Sequence, residues 1–150
     1  MKALALLAPL SVAALITPAL AAGDLTRAKP VEVVLEMGTD LASGKMFFRP
    51  KHLEFETGKA YKLELKNLDE IKHEVESHEF VQRIFTRKVE IENADGLVAE
   101  IKGAIREIEV GPKQTVDWYF VPVQTVKNAD IICAIKGHKE AGMFGTITIR

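Results

Sequence analysis

The sequence contains a single cysteine among its 150 residues. One thiol cannot close an internal disulfide, and it excludes metal sites made of cysteines alone. An excess of charge of either sign is also missing, since 20 Lys and Arg residues face 21 Asp and Glu residues and leave a formal net charge of -1. So balanced a chain gives no electrostatic reason to expect a nucleic-acid partner. Its 47% hydrophobic and 27% charged residues are instead typical of one folded domain.

The first 21 residues have the three parts of a secretory signal peptide. Lys2 supplies a positive charge, residues 3–16 are almost entirely apolar, and Ala19-Leu20-Ala21 forms a cleavage motif of small residues. An uncleaved membrane anchor is the alternative, but the cleavage motif and two prolines within the segment favour removal. We therefore expect a soluble protein exported to a periplasm, with a tether at residues 22–30, one domain at residues 31–150 and no membrane insertion of the mature chain.

The rest of the chain is dominated by short runs in which apolar and polar residues alternate, which is the pattern of strands with one buried face. Glycine, proline and asparagine separate the runs, and Gly38 is expected to end the first of them. The segment Phe80–Phe85 differs, because its apolar residues recur at helical spacing and predict one possible short helix. The pattern as a whole predicts an all-β sandwich or barrel. The expected strands are VEVVLEM (31–37), LEFE (53–56), YKLEL (61–65), KVEIEN (88–93), IREIEV (105–110), TVDWYFV (115–121), DIICA (130–134) and GTITIR (145–150).

Three side chains near the C-terminus could bind one metal ion: Cys133, His138 and Met143. They fall within eleven positions, and a thiolate, an imidazole and a thioether suit copper better than magnesium or calcium. Gly137 and Gly142 stand directly before two of them, where the loop must turn tightly. One more histidine would complete the set of two histidines, one cysteine and a long axial methionine that forms a blue-copper site. The alternative is that the cysteine is only a small buried apolar residue.

The second imidazole must come from outside this loop, and the candidates are His52, His73 and His78. Side chains alternate between the two faces of an extended chain. His73 shares a face with Val75 and can therefore point inward. His78 is an odd number of positions away and lies on the opposite face if the segment is extended. The pattern favours His73.

Three stretches of the sequence resemble the cupredoxins, the family of small blue-copper proteins. The loop C-x4-H-x4-M that begins at Cys133, followed by the strand TITI, is similar to that of the rusticyanins. The stretch from Asn67 to Val75 resembles the N-x5-H-x-V pattern that delivers the first histidine, and EVGPKQTVDWYF resembles the strand pair around the family's usual turn. The resemblance covers roughly residues 31–150, with a looser fit at residues 79–103.

The resemblance implies a cupredoxin-like Greek-key β-sandwich with one type 1 copper ion. His73, Cys133 and His138 would be the equatorial ligands and Met143 the weak axial ligand. The implied function is one-electron transfer with a redox partner protein rather than catalysis. Glu74 departs from the family, which commonly has Asn or Ser directly after the first histidine, so we expect the hydrogen bonding around the cysteine sulfur to differ.

Other functions remain open at this point. Similar cupredoxins accompany periplasmic ferrous-iron uptake systems, which implies copper-dependent oxidation of ferrous iron beside a periplasmic or membrane iron-transport component. Glu74, Glu76 and His78 could form an outward patch that suits iron, with Glu90 and Glu92 nearby in sequence, although a solvated strand face is the plainer alternative. Copper storage or delivery is a third function. A cysteine-nucleophile enzyme is least supported, because no third group is evident to orient the Cys–His pair.

Overall fold

The computed structural model describes Leu25 and residues 28–150. The expected signal peptide lies outside the described residues, as does most of the expected tether. No helix in the described part of the chain is long and apolar enough to cross a membrane. The elements are β1 (Val31–Asp40), β2 (Lys45–Arg49), β3 (His52–Phe55), β4 (Tyr61–Asn67), β5 (His73–Glu76), α1 (His78–Val81), β6 (Ile84–Asn93), β7 (Gly96–Ile101), β8 (Glu107–Val110), β9 (Thr115–Pro122), β10 (Val126–Ile132) and β11 (Phe144–Ile149).

Two mixed sheets form the molecule. The first has the strand order β2-β1-β4-β9-β6-β7 and the second β3-β11-β10-β5-β8. The pairs β1–β4 and β3–β11 are parallel, and the other pairs are antiparallel. The prediction of an all-β sandwich with one short helix is confirmed.

The core lies between the sheets and is filled by the apolar positions of the alternating strands. In β4 every second residue from Tyr61 onward is buried, because successive side chains point to opposite faces. Aromatic rings occupy its centre, where Phe80 of α1 lies 5.2 Å from Phe120 and 5.6 Å from Trp118 between ring centroids. The short helix therefore contributes one large apolar side chain, Phe80, to the core.

Two local predictions were wrong, and some strands were missed. β1 does not stop at Gly38 but continues to Asp40 in pairing with β2, and a Cβ atom at Gly38 would lie only 3.0 Å from the Phe47 ring. The glycine there allows close packing rather than a break. The predicted helix is shorter than its apolar spacing indicated, since Ile84 and Phe85 belong to β6 and pair with β9. Strands β2, β5 and β7 were not among the expected strands.

Candidate metal centre

The connection between β4 and β5 is held by a buried amide. Asn67 is 2% exposed, and its Nδ2 lies within hydrogen-bonding distance of the carbonyl oxygens of Ile71 (2.7 Å), Val110 (3.0 Å) and Gly111 (2.9 Å). Its Oδ1 accepts a hydrogen bond from the Asp69 amide at 2.9 Å. One side chain thus closes the turn after β4 and ties it to the turn after β8. This fixes the point at which β5 begins.

His73 is the first residue of β5, and the strand aims it into the protein. His73 and Val75 are buried, whereas Glu74 and Glu76 are partly exposed, as the alternation predicted. The imidazole of His73 is completely buried. A buried imidazole needs partners for both ring nitrogens, and both are present, as described below.

The second part of the site is the loop between β10 and β11. Cys133 directly follows β10 and is fully buried. Its amide donates to the Met143 carbonyl at 3.1 Å, and the Met143 amide donates to the His138 carbonyl at 3.0 Å. The loop therefore folds back so that its end lies against its beginning. This brings the backbones of Cys133, His138 and Met143 next to one another.

Two glycines allow this loop to turn. Gly137 has a φ of 87° and Gly142 a φ of 114°, both in the region that favours glycine. At Gly142 a Cβ atom would also lie 2.8 Å from the Met46 carbonyl oxygen, so that the loop can approach β2 closely only without a side chain. The predicted role of both glycines agrees with their conformation.

Donor atoms from the two parts converge on one point. The Nδ1 atoms of His73 and His138 are 3.2 Å apart, and His138 Nδ1 is 3.3 Å from the sulfur of Cys133. Donor atoms that share one tetrahedral ion at bond lengths of about 2.0–2.3 Å are separated by about 3.3–3.6 Å. The three side chains thus have nearly the spacing of ligands to a single ion. Two imidazoles and one thiolate suit copper or zinc rather than magnesium or calcium.

Met143 is completely buried in the same core cluster as Cys133. Its backbone hydrogen bonds to the cysteine and to His138 keep it next to both in the loop. Its assignment as the axial ligand stays a prediction. The other two candidate histidines lie elsewhere: the exposed His52 contacts Thr146 with its Nδ1 at 2.7 Å, and His78 on α1 contacts Gln82 at 2.9 Å.

Burial controls the protonation of these groups. It raises the pKa of the Cys133 thiol above its ordinary value, and the amide of Glu74, which donates to the sulfur at 3.3 Å, only partly offsets this. Burial, and next the neighbouring His73, lower the pKa of His138. Both shifts favour the neutral forms of the two groups, and a metal ion binds the neutral imidazole and the deprotonated thiolate.

The hydrogen bond from Glu74 to the sulfur corrects an expectation. From the sequence, the side chain at position 74 was expected to determine the hydrogen bonding of the sulfur. The donor is instead the backbone N–H of Glu74, which any residue except proline would supply. The carboxylate itself points to the other face of β5.

That outer face carries a group of carboxylates that differs from the predicted patch. Glu74, Glu76 and Glu107 each offer an oxygen within 4.8 Å of one another, because β8 pairs with β5 and brings Glu107 opposite Glu76. Burial, and next the charge of Glu107, raise the pKa of Glu74. The other residues considered for the patch lie in other elements: His78 on α1, and Glu90 and Glu92 on β6 in the other sheet.

The loop histidine lies near the surface. His138 is partly exposed, Ile135 packs partly against the core, and Phe144 is 46% exposed. Lys136 and Lys139 flank the histidine and are exposed. The two apolar side chains therefore differ, since Ile135 covers the core and Phe144 faces solvent.

Sequence reasoning missed the residue that contacts the other nitrogen of His73. Asp69 Oδ2 lies 2.8 Å from His73 Nε2, and the same carboxylate accepts hydrogen bonds from the amide and hydroxyl of Thr39. An acidic residue four positions before the histidine was visible in the sequence. Its partner Thr39 lies 30 positions upstream of Asp69, and no local pattern connects the two.

No family model matches the chain, and no curated protein matches it. Solved structures do. The multicopper oxidase McoA of Aquifex aeolicus is similar over 89% of this chain and 31% of its own, with a TM-score of 0.61 and 14% identity. A multicopper oxidase of Campylobacter jejuni matches 81% of this chain and 30% of its own, with a TM-score of 0.56 and 16% identity. The copper nitrite reductase of Nitrosomonas europaea matches 79% and 48%, with a TM-score of 0.59 and 12% identity.

At these identities the likeness shows the fold alone, and this chain spans less than half the length of each of those proteins. The fold is cupredoxin-like. Within it the structure brings together two histidines and the cysteine that the sequence analysis had singled out as metal ligands.

Proposed function

We propose that this protein is an exported electron carrier with one type 1 copper ion. The observation that carries the proposal is the convergence of His73 Nδ1, His138 Nδ1 and the Cys133 sulfur within 4.8 Å of one another. Met143 is proposed as the axial ligand. Copper bound there would supply reversible one-electron chemistry by cycling between its two oxidation states.

The chain's own residues provide what rapid electron transfer requires. His73 is completely buried and hydrogen-bonded on its other side, and the loop donors are fixed by backbone hydrogen bonds between Cys133, His138 and Met143. Such a rigid donor set changes little between oxidation states. Electrons would pass to a redox partner protein at the partly exposed His138. The signal-peptide pattern of residues 1–21 supports a periplasmic location.

Addition of Cu(II) to the purified protein tests the proposal. We expect an intense visible absorption band from the thiolate and a reversible one-electron wave in voltammetry. Cys133→Ser removes the thiolate and should abolish the band, whereas the control variants His52→Ala and His78→Ala should keep it. A colourless copper complex of the unaltered protein would contradict the proposal. Copper exchange with no reversible wave would favour storage or delivery instead.

A second candidate function is the oxidation of ferrous iron in support of iron uptake. The observation that favours it is the carboxylate group Glu74, Glu76 and Glu107, since oxygen ligands suit iron. Glu74 and Glu76 lie on β5, the strand that also carries His73, and Glu107 lies on the neighbouring strand β8. Each Fe(II) would pass one electron to Cu(II), and the redox partner protein would then take that electron from Cu(I); an iron-transport component would be the partner on the iron side.

The test is the rate at which Fe(II) bleaches the blue band under anaerobic conditions. We expect the double variant Glu76→Gln, Glu107→Gln to bleach more slowly than the unaltered protein. The matched control is Glu90→Gln, Glu92→Gln, which removes two negative charges from β6 in the other sheet. Equal rates in the two double variants would exclude a specific role of the carboxylate group.

A further inference from the structure

The carboxylate of Asp69 is the feature that the proposed function leaves unused. Its Oδ2 lies 2.8 Å from Nε2 of His73 and accepts a hydrogen bond from the Thr39 hydroxyl at 2.6 Å. Its Oδ1 accepts the amide of Thr39 at 3.0 Å. The side chain of Asp69 is 14% exposed and that of His73 is fully buried. The contact is therefore well shielded from solvent.

The contact determines which nitrogen of His73 carries the proton. Both carboxylate oxygens of Asp69 accept hydrogen bonds from Thr39, the amide on Oδ1 and the hydroxyl on Oδ2, which is the arrangement of an ionised carboxylate. An ionised carboxylate can only accept hydrogen bonds, so Nε2 of His73 must be the donor. In the neutral imidazole Nδ1 is then unprotonated. That atom faces His138 Nδ1 and the cysteine.

Asp69 is itself held from several directions. Its amide donates to Asn67 Oδ1, and its carbonyl oxygen accepts the amide of Lys113 at 3.1 Å. Thr39 belongs to β1 in one sheet, whereas His73 belongs to β5 in the other. The carboxylate therefore links the histidine to the opposite sheet. The position of the imidazole does not depend on its own strand alone.

We propose that Asp69 is a positioning residue, which fixes the tautomer and orientation of His73 and whose negative charge favours Cu(II) over Cu(I) at the site. The proposal rests on the proposed function. A carboxylate bonded to the outer nitrogen of a ligand histidine raises the basicity of the imidazole and fixes the ring. Since the interaction is shielded from solvent, the extra charge stabilises the more positive oxidation state. The carboxylate should therefore lower the reduction potential and tighten Cu(II) binding.

The experiment compares Asp69→Asn with Glu70→Gln. The asparagine oxygen can still accept the hydrogen bond from Nε2 and keep the ring oriented, while the charge and the acceptor of the Thr39 amide are lost. The control removes one charge from the neighbouring residue, whose side chain is 82% exposed and pairs with Lys113. We expect the dissociation constant of Cu(II) to rise about tenfold more than that of Cu(I) in Asp69→Asn, which equals about 59 mV of higher potential. The control should change little.

A measurement on the metal-free, unaltered protein tests the tautomer without any variant. Nitrogen-15 spectra of the histidine rings should show the proton of His73 on Nε2 and none on Nδ1. A proton on Nδ1 would overturn the proposal, as would equal potentials in Asp69→Asn and Glu70→Gln. Failure of the proposed function has a different signature. In that case the unaltered protein itself shows no intense band with Cu(II), and the proposal about Asp69 falls with it.

Discussion

Met143 is the residue whose proposed role depends on one atom, its sulfur. Both Met143 and Cys133 are fully buried, and the backbone of Met143 is hydrogen-bonded to the backbones of Cys133 and His138. Any apolar side chain of similar volume could fill this space. A thioether contributes in addition a weak electron pair to a neighbouring ion.

We predict that Met143→Leu keeps copper bound and raises the reduction potential, because a lost axial donor destabilises Cu(II) more than Cu(I). The exchange conserves volume, and the free energy of unfolding should fall by no more than about 1.5 kcal/mol. Voltammetry and chemical denaturation measure the two effects. Met46→Leu is the matched control, since Met46 is a half-buried methionine beside the same loop. Equal potentials in both variants would show that Met143 is packing alone.

Individual residues also show what the sequence could and could not predict about the site. His73 could be selected, because strand alternation is a local rule that depends only on its neighbours. Asp69 could not be assigned a role, because it contacts Thr39 of β1 and His73 of β5, which lie in different sheets and far apart in sequence. Glu107 was missed for the same reason: only the pairing of β8 with β5 brings it to Glu76.

Whole strands also differ in whether their own residues or their partners determine them. Strands β4 and β11 alternate regularly, and each buries one face against the core. Strand β7 does not alternate, pairs with β6 alone and is largely exposed. Apolar and polar residues do not alternate in its sequence GLVAEI, because almost none of its side chains is buried. An edge strand of this kind is defined by its partner and not by its own residues.

The short helix shows how pairing overrides local periodicity. The apolar residues from Phe80 to Phe85 have the spacing of one helical face, yet the helix ends at Val81. Ile84 and Phe85 instead pair with Pro122 and Val121 of β9. Backbone hydrogen bonds to a central strand stabilise the extended form more than a single further turn of helix could.

Across the whole molecule, the proposed metal binding would be coupled to folding. The proposed ligands come from residues 73 and 133–143, so the binding site exists only when β5 and β10 pair and the loop has closed. A ligand that binds the folded state alone stabilises it by about 2.7 kcal/mol at 100 times its dissociation constant. The effect is reduced to the extent that the unfolded chain also binds copper.

We therefore predict that saturating Cu(II) raises the midpoint of thermal unfolding by roughly 10 °C for a domain of this size, and that a chelator reverses the shift. Differential scanning calorimetry at several copper concentrations measures it. His138→Ala removes one proposed ligand from a partly exposed position and should lose most of the shift, whereas His52→Ala should retain it. The same shift in both variants would mean that copper stabilises the protein from somewhere other than the centre formed by His73, Cys133 and His138. A shift lost only in His138→Ala would link the stability of the whole sandwich to that centre. Each variant removes one imidazole, so the two differ only in the position of the histidine that is lost.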